Sequence, residues 1–281
     1  MNSATNLRQL LNEPGIIAAP AVYDCIGSKL AKKAGFPLIF TSGFGMSASL
    51  LGLPDLGFLT ATEMLNQVRN IIKSVDIPVI CDLDTGYGNA LNVKRTVEYI
   101  VSFGAAGIIL EDQEWPKKCG HFEGKKVIPT DEMVKKIKAA VAAKNNSDLV
   151  IIGRTDARAI YGLEEALYRG KKYQEAGADI IFIEAPQTVK ELEKIANYFP
   201  ETPLLANIIE GGKTPCLTVN ELETMGFKLV AYALSGLLSA TNAVSQCFQQ
   251  LQEKGSTDII NNTFQFDEFK ALIEVEKYQS T

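Results

Sequence analysis

Hydrophobic and polar positions follow two rhythms along the chain. Short runs that are apolar at nearly every residue, many of them β-branched, occur at 16–19 (IIAA), 38–41 (LIFT), 78–84 (PVICDLD) and 107–111 (GIILE). They continue at 149–154 (LVIIGR), 179–185 (DIIFIEA), 203–207 (PLLAN) and 228–232 (KLVAY). Between them lie amphipathic stretches with helical periodicity, clearest in NVKRTVEYIVSFGA, DEMVKKIKAAVAAK, LEEALYRGKKYQEAGA and TVKELEKIANYF. Strands apolar on both faces suit a parallel sheet, and repeated strand-helix units with short loops build one. Eight strands, each followed by a helix, predict one (β/α)8 TIM barrel over residues 1–281. A doubly wound open sheet shares the local pattern. Its support is GFGMSA, where Gly43, Gly45 and Ala48 satisfy G-x-G-x-x-A after a strand. Gly52 and Pro54 interrupt the helix that should follow, which favours the barrel.

The eighth helix is expected over 235–254. Beyond it the tail carries a further amphipathic stretch that a barrel does not need for closure. The segment 235–281 is therefore expected to pack outside the barrel, on a neighbouring subunit or back on its own chain.

In a parallel barrel the site lies at the carboxyl ends of the strands. Those ends are polar in this sequence: Ser42-Gly43, then Asp82 and Asp84, Glu111-Asp112, Arg154-Thr155-Asp156, Glu184, and Asn207 followed by Glu210. Asp82 and Asp84 are two apart, which on a regular strand puts both carboxylates on one face. With Glu111 from the next strand they form an oxygen-rich cluster suited to Mg²⁺, with Mn²⁺ as a second choice. Helix capping is the plain alternative for any one of these acids. Arg154, at the end of an apolar strand, suits a carboxylate or a developing oxyanion.

The run PKKCGHFEGKK (116–126) holds Cys119 and the only histidine, His121. Cys119 could act as a nucleophile with His121 as base, or as a general acid with its pKa lowered by Lys117, Lys118 and His121. Gly120 and Gly124 would let this loop close over a site. Cys25, Cys216 and Cys247 are expected in the core, as is Cys81, facing away from the acids.

Composition narrows the function classes. A net charge of −5 without a basic stripe speaks against nucleic acid as partner. No apolar run is long enough for a membrane helix, and the amino terminus has no signal-peptide pattern. Five cysteines without a CxxC pair fit reduced thiols in the cytoplasm.

Taken together, TSGFGMSASLLGLPDLG, CDLDTGYGN, EDQEWPKKCGHFEGKKVIP, GRTDAR, FIEAP and LANIIEGGKTP resemble the isocitrate lyase/phosphoenolpyruvate mutase superfamily. The match runs from about residue 20 to 235 and is similar above all to the short lyases of the 2-methylisocitrate and 2,3-dimethylmalate type. The resemblance implies a barrel whose last helix is exchanged between subunits of a homotetramer. It implies Mg²⁺ held directly by Asp82, with Asp55, Asp84 and Glu111 acting through waters. Substrate groups would be held by Ser42, Gly43, Phe44, Gly120, Arg154 and Asn207, with Glu184 and His121 completing the pocket. Cys119 would be the catalytic thiol on a gating loop. The implied reaction cleaves a 2-hydroxy carboxylate, a 2-alkylmalate or 2-methylisocitrate, to a 2-oxo acid and a second carboxylate. Oxaloacetate hydrolysis and carboxyphosphonoenolpyruvate mutase chemistry are the alternatives within the superfamily; mutases generally lack the cysteine. One departure stands out: Ala233 in YALSG, where many relatives resemble YPLS.

Overall fold

The computed structural model describes residues 2–256 and 264–279. Eight parallel strands form its centre: β1 (Ile17–Val22), β2 (Ile39–Thr41), β3 (Val79–Asp82), β4 (Gly107–Glu111), β5 (Val150–Thr155), β6 (Ile180–Ile183), β7 (Leu205–Ile208) and β8 (Leu229–Tyr232). Their spatial order is β6-β5-β4-β3-β2-β1-β8-β7. A parallel bridge between Ile181 and Leu204 links the two outer strands. The sheet is thus rolled into a nearly closed (β/α)8 barrel, as the alternation of elements predicts.

The helices around it are α1 (Ser3–Asn12), α2 (Cys25–Lys33), α3 (Gly43–Leu51), α4 (Ala61–Ser74), α5 (Ala90–Phe103) and α6 (Thr130–Ala143). They continue with α7 (Arg158–Tyr161), α8 (Leu163–Glu175), α9 (Val189–Tyr198), α10 (Val219–Met225), α11 (Ser235–Lys254), α12 (Phe266–Leu272) and α13 (Val275–Gln279). Their starts are written in the sequence. Thr60 with Glu63 and Thr218 with Glu221 form capping boxes that satisfy orphan N–H groups of α4 and α10.

Successive strand residues point to opposite faces, so each strand feeds two cores. The barrel interior is packed by Ala19, Phe40, Ile80, Ile109, Ile152, Phe182, Leu205 and Ala231, among others. The intervening positions, such as Ile39, Cys81, Ile108, Ile151 and Val230, meet the helical shell. The mouth at the amino ends of the strands is stoppered by α1. Its Leu7 is fully buried in the interior cluster, and Arg8 donates to the Asp148 and Leu149 carbonyls and to Asp179. The opposite mouth is left for polar chemistry.

Several expectations need correcting. β3 ends at Asp82, because Asp84 adopts a left-handed backbone (φ 50°). The two acids therefore do not share a strand face; a turn separates them. The G-x-G-x-x-A segment does open a helix, α3, which ends at Gly52 in the left-handed conformation, but the sheet it follows is a barrel. Cys81 is core as expected, whereas Cys216 is exposed and Cys25 and Cys247 are half-buried. They lie on a loop and on helix faces away from either core.

The 20-residue α11 buries none of its residues. Leu238, Val244 and Phe248 stand exposed along it. Residues 257–263, 280 and 281 of the predicted outer segment lie outside the described residues. Among the described residues no helix is long and apolar enough to cross a membrane.

Candidate active site

The carboxyl ends of the strands enclose a cavity of about 80 Å³. Ser42, Gly43, Phe44, Asp55, Asp82, Cys119, Gly120, His121, Arg154, Glu184 and Asn207 all reach its wall, gathering residues spread over most of the sequence. Asp84 and Glu111 stand behind that wall, both buried.

Local structure explains each placement. Ser42 caps α3, its hydroxyl accepting from the Gly45 N–H at 3.1 Å. That turn brings the Gly43 N–H to 3.4 Å from Asp82 Oδ2, and a Cβ on Gly43 would sit only 3.1 Å from the same oxygen. Asp82 also accepts the Asp84 N–H at 3.1 Å. Among the described residues no Lys or Arg forms an ion pair with it, although Lys117 and Arg154 act on it from further off. The Lys117 ammonium lies 2.7 Å from both Asp55 Oδ1 and Asp84 Oδ1. Its side chain is buried, so this lysine of the loop is an internal ion-pair partner. Asp84 is nonetheless raised to about 6, because burial outweighs Lys117 while Asp82 and Asp55 add repulsion.

Arg154 ends β5 as a hub. It lies 3.2 Å from Glu111 Oε2, 3.5 Å from Glu184 Oε2, and donates through Nε to Asp156 Oδ2 at 2.9 Å. Burial pushes Glu111 well above the usual carboxylate range despite Arg154. For Glu184 burial acts the same way, but Arg154 and His121 outweigh it and hold the group below that range. His121 Nε2 is 3.1 Å from Glu184 Oε1, and its Nδ1 accepts the Lys213 N–H at 2.9 Å. A ring whose Nδ1 accepts carries its proton on Nε2, facing Glu184. His121 therefore lies with Glu184 and offers Cys119 no free base.

Cys119 is seated by its own N–H, which donates to the Asp55 carbonyl at 3.0 Å. Burial drives its thiol up to about 11, although Lys117 and a hydrogen bond from the His121 backbone pull the other way. The expected lowering by the loop lysines fails because burial outweighs Lys117, whose ammonium is shared with Asp55 and Asp84. Gly120 follows in a space no side chain fits: a Cβ would lie 2.5 Å from Glu184 Cγ and 2.6 Å from an Arg154 nitrogen. Phe122 rests edge-on against Phe44, ring centres 6.2 Å apart.

The phosphoenolpyruvate phosphomutase family matches residues 7–252. The chain belongs to that family. Over 278 residues it is 43% identical to a 2,3-dimethylmalate lyase of Eubacterium barkeri, spanning 99% of this chain and 96% of the relative. The crystal structure of 2,3-dimethylmalate lyase, a member of the PEP mutase/isocitrate lyase superfamily, superposes with a TM-score of 0.95 at 33% identity. That match covers 100% of this chain and 94% of the other. Phosphonopyruvate hydrolase in complex with oxalate and Mg²⁺ superposes with a TM-score of 0.89 at 32% identity, covering 100% and 98%.

A family member solved with Mg²⁺ raises the question of whether these residues fit that ion. Asp82 faces the cavity without an ion-pair partner among the described residues, and the buried Glu111 Oε1 has no hydrogen-bond partner. Asp55 and Asp84 already share Lys117. Among the described residues no three His, Cys, Asp or Glu side chains converge into a cage. One direct carboxylate with water at the remaining positions is how Mg²⁺ is commonly held, so the donor set fits. The same set, all oxygen, does not suit zinc.

Two buried residues behind the cavity were not legible as partners. Asp156 stood out only as one polar strand end among several, and Lys125 only as one more lysine of the loop. Both are buried, and they meet at 2.9 Å.

Proposed function

We propose that the protein is a Mg²⁺-dependent carbon–carbon lyase that cleaves a 2-hydroxy carboxylate of the 2-alkylmalate or 2-methylisocitrate type. The observation that carries this reading is Cys119: a protonated, buried thiol facing the cavity that Asp82 and Arg154 also face. A nucleophilic cysteine needs a thiolate, whereas a proton donor needs the neutral thiol this environment favours.

Mg²⁺, held by Asp82 with Asp55, Asp84 and Glu111 around it through waters, would neutralise substrate oxygens and make the hydroxyl more acidic. Arg154 takes a substrate carboxylate, fixed in direction by Asp156. The backbone at Ser42, Gly43 and Phe44, the Gly120 segment and Asn207 complete the grip on the oxygens. The hydroxyl gives its proton to water, the C–O bond becomes C=O, and the adjacent C–C bond breaks. The electron pair passes to the carbon of the departing fragment, next to its carboxylate. That carbon takes the proton of Cys119, and water returns a proton to the Cys119 thiolate at the end of the cycle. Glu184, held charged, keeps His121 and Arg154 in place.

The apolar face of α11 supports a homotetramer with this helix exchanged between subunits. The thiol usage supports a cytoplasmic location.

Purified protein with Mg²⁺ and a panel of 2-alkylmalates and 2-methylisocitrate is expected to release a 2-oxo acid, and chelation to stop it. Oxalate from oxaloacetate with no 2-oxo acid from the panel would instead select the hydrolase.

A further inference from the structure

Lys125 sits on the irregular segment between β4 and α6, yet its side chain is only 1% exposed. Removing an ammonium from water is costly unless its protons find acceptors. Two acceptors are present: the Gly120 carbonyl and Asp156 Oδ1, the latter at 2.9 Å. The Asp156 carboxylate is fully buried and is held down to about 2, burial being outweighed by Arg154 and Lys125. Its other contacts run to Arg154, through Nε to Oδ2 at 2.9 Å and through a terminal nitrogen to Oδ1 at 3.3 Å. One carboxylate thus receives both the arginine of β5 and the lysine of the loop. Asp156 is itself fixed, its N–H donating to Asp112 Oδ1 at 2.9 Å. Asp112 is held in turn by Thr155, Tyr173 and Arg169.

The loop also has a firm neck. Gln113 pairs with Val127 across an antiparallel bridge, and its side chain bonds both backbone groups of Lys118. Beyond the neck, Lys117 and the Cys119 N–H hold one side of the tip to Asp55; the Gly120 side must still come within contact of Arg154 and Glu184. Lys125 reaches across to that tip.

We propose that Lys125 is a positioning residue. By bridging the Gly120 carbonyl and Asp156, it seats the Cys119 tip and sets the Arg154 guanidinium in the same act. Thiol and guanidinium are thereby placed relative to each other through a common carboxylate. The proposal rests on the reading that Cys119 and Arg154 serve one reaction, but its test needs no substrate.

The test is the iodoacetamide alkylation rate of each cysteine, resolved by peptide mass spectrometry, in wild type, Lys125→Met and Lys126→Met. Cys119 is buried on the loop, Cys81 is buried in the barrel wall, and Cys216 is exposed. Lys125→Met is expected to raise Cys119 labelling by at least about fivefold, as expected for freer local opening, with Cys81 and Cys216 unchanged. Lys126→Met, at an exposed neighbour, is expected to match wild type. If Lys125→Met fails to melt cooperatively, Lys125→Arg, which keeps the charge but not its point geometry, is read by the same ratio. A smaller rise at Cys119, or one shared by Cys81, overturns the proposal.

Discussion

At Cys119 burial outweighs the neighbouring cations, and the folded protein therefore binds the thiol proton more tightly than the unfolded chain. The sign of the linkage follows. The contribution to stability is complete below the unfolded value of about 9 and is lost as pH rises towards the folded value of about 11. A shift of this kind is worth at most about 3 kcal/mol. The loss of denaturation midpoint between these two pH values should be smaller in Cys119→Ser than in wild type. An equal loss would show that the thiol is not held neutral by the fold. Gly120 gives a second residue-scale prediction. A Cβ there would overlap Glu184 and Arg154, both pinned by further partners. Gly120→Ala should leave the melting temperature within a few degrees of wild type, because the strain is relieved by lifting the loop. It should lower kcat by about 100-fold, the size of effect expected when a catalytic group is misplaced. An unchanged kcat would mean that this close approach is not needed for turnover.

The elements were the most legible level. Each of the eight apolar runs became a strand, because burial on both faces demands a run that is apolar throughout. The capping residues marked helix starts for an equally local reason. β3 was read too long, since a left-handed residue at Asp84 leaves no trace in hydrophobic pattern. The site was legible as a set of strand ends but not as a network. Lys117 pairs with Asp55, 62 positions earlier, and periodicity does not report such pairings. The direction of the Cys119 shift is hidden for a related reason: how deeply a loop residue is buried does not show in the residues beside it. α1 carries an element-scale prediction. Leu7 closes the barrel floor and is fully buried. Leu7→Ala should destabilise by about 2–5 kcal/mol through the cavity it leaves, measured by urea denaturation. A loss below about 1 kcal/mol would show that the floor is not part of the cooperative core.

At the scale of the whole molecule, one end of the barrel is sealed with apolar side chains and the other collects charge. That asymmetry lets buried acids, an arginine and a neutral thiol coexist in one cavity. The barrel does not cover α11, whose apolar residues need another surface. Phe248→Glu should lower the mass measured by light scattering at low protein concentration, whereas an unchanged mass would remove this face from the assembly. The claim that binds these scales together is that Cys119 gives its proton to the departing carbon fragment. Its most direct test is the initial rate of 2-oxo acid release by Cys119→Ser beside wild type, at saturating Mg²⁺ and substrate. A fall of about 10² to 10⁴, the usual contribution of a general acid, with Mg²⁺-dependent oxalate binding retained, is the predicted result. A Cys119→Ser enzyme that releases the 2-oxo acid as fast as wild type would contradict it.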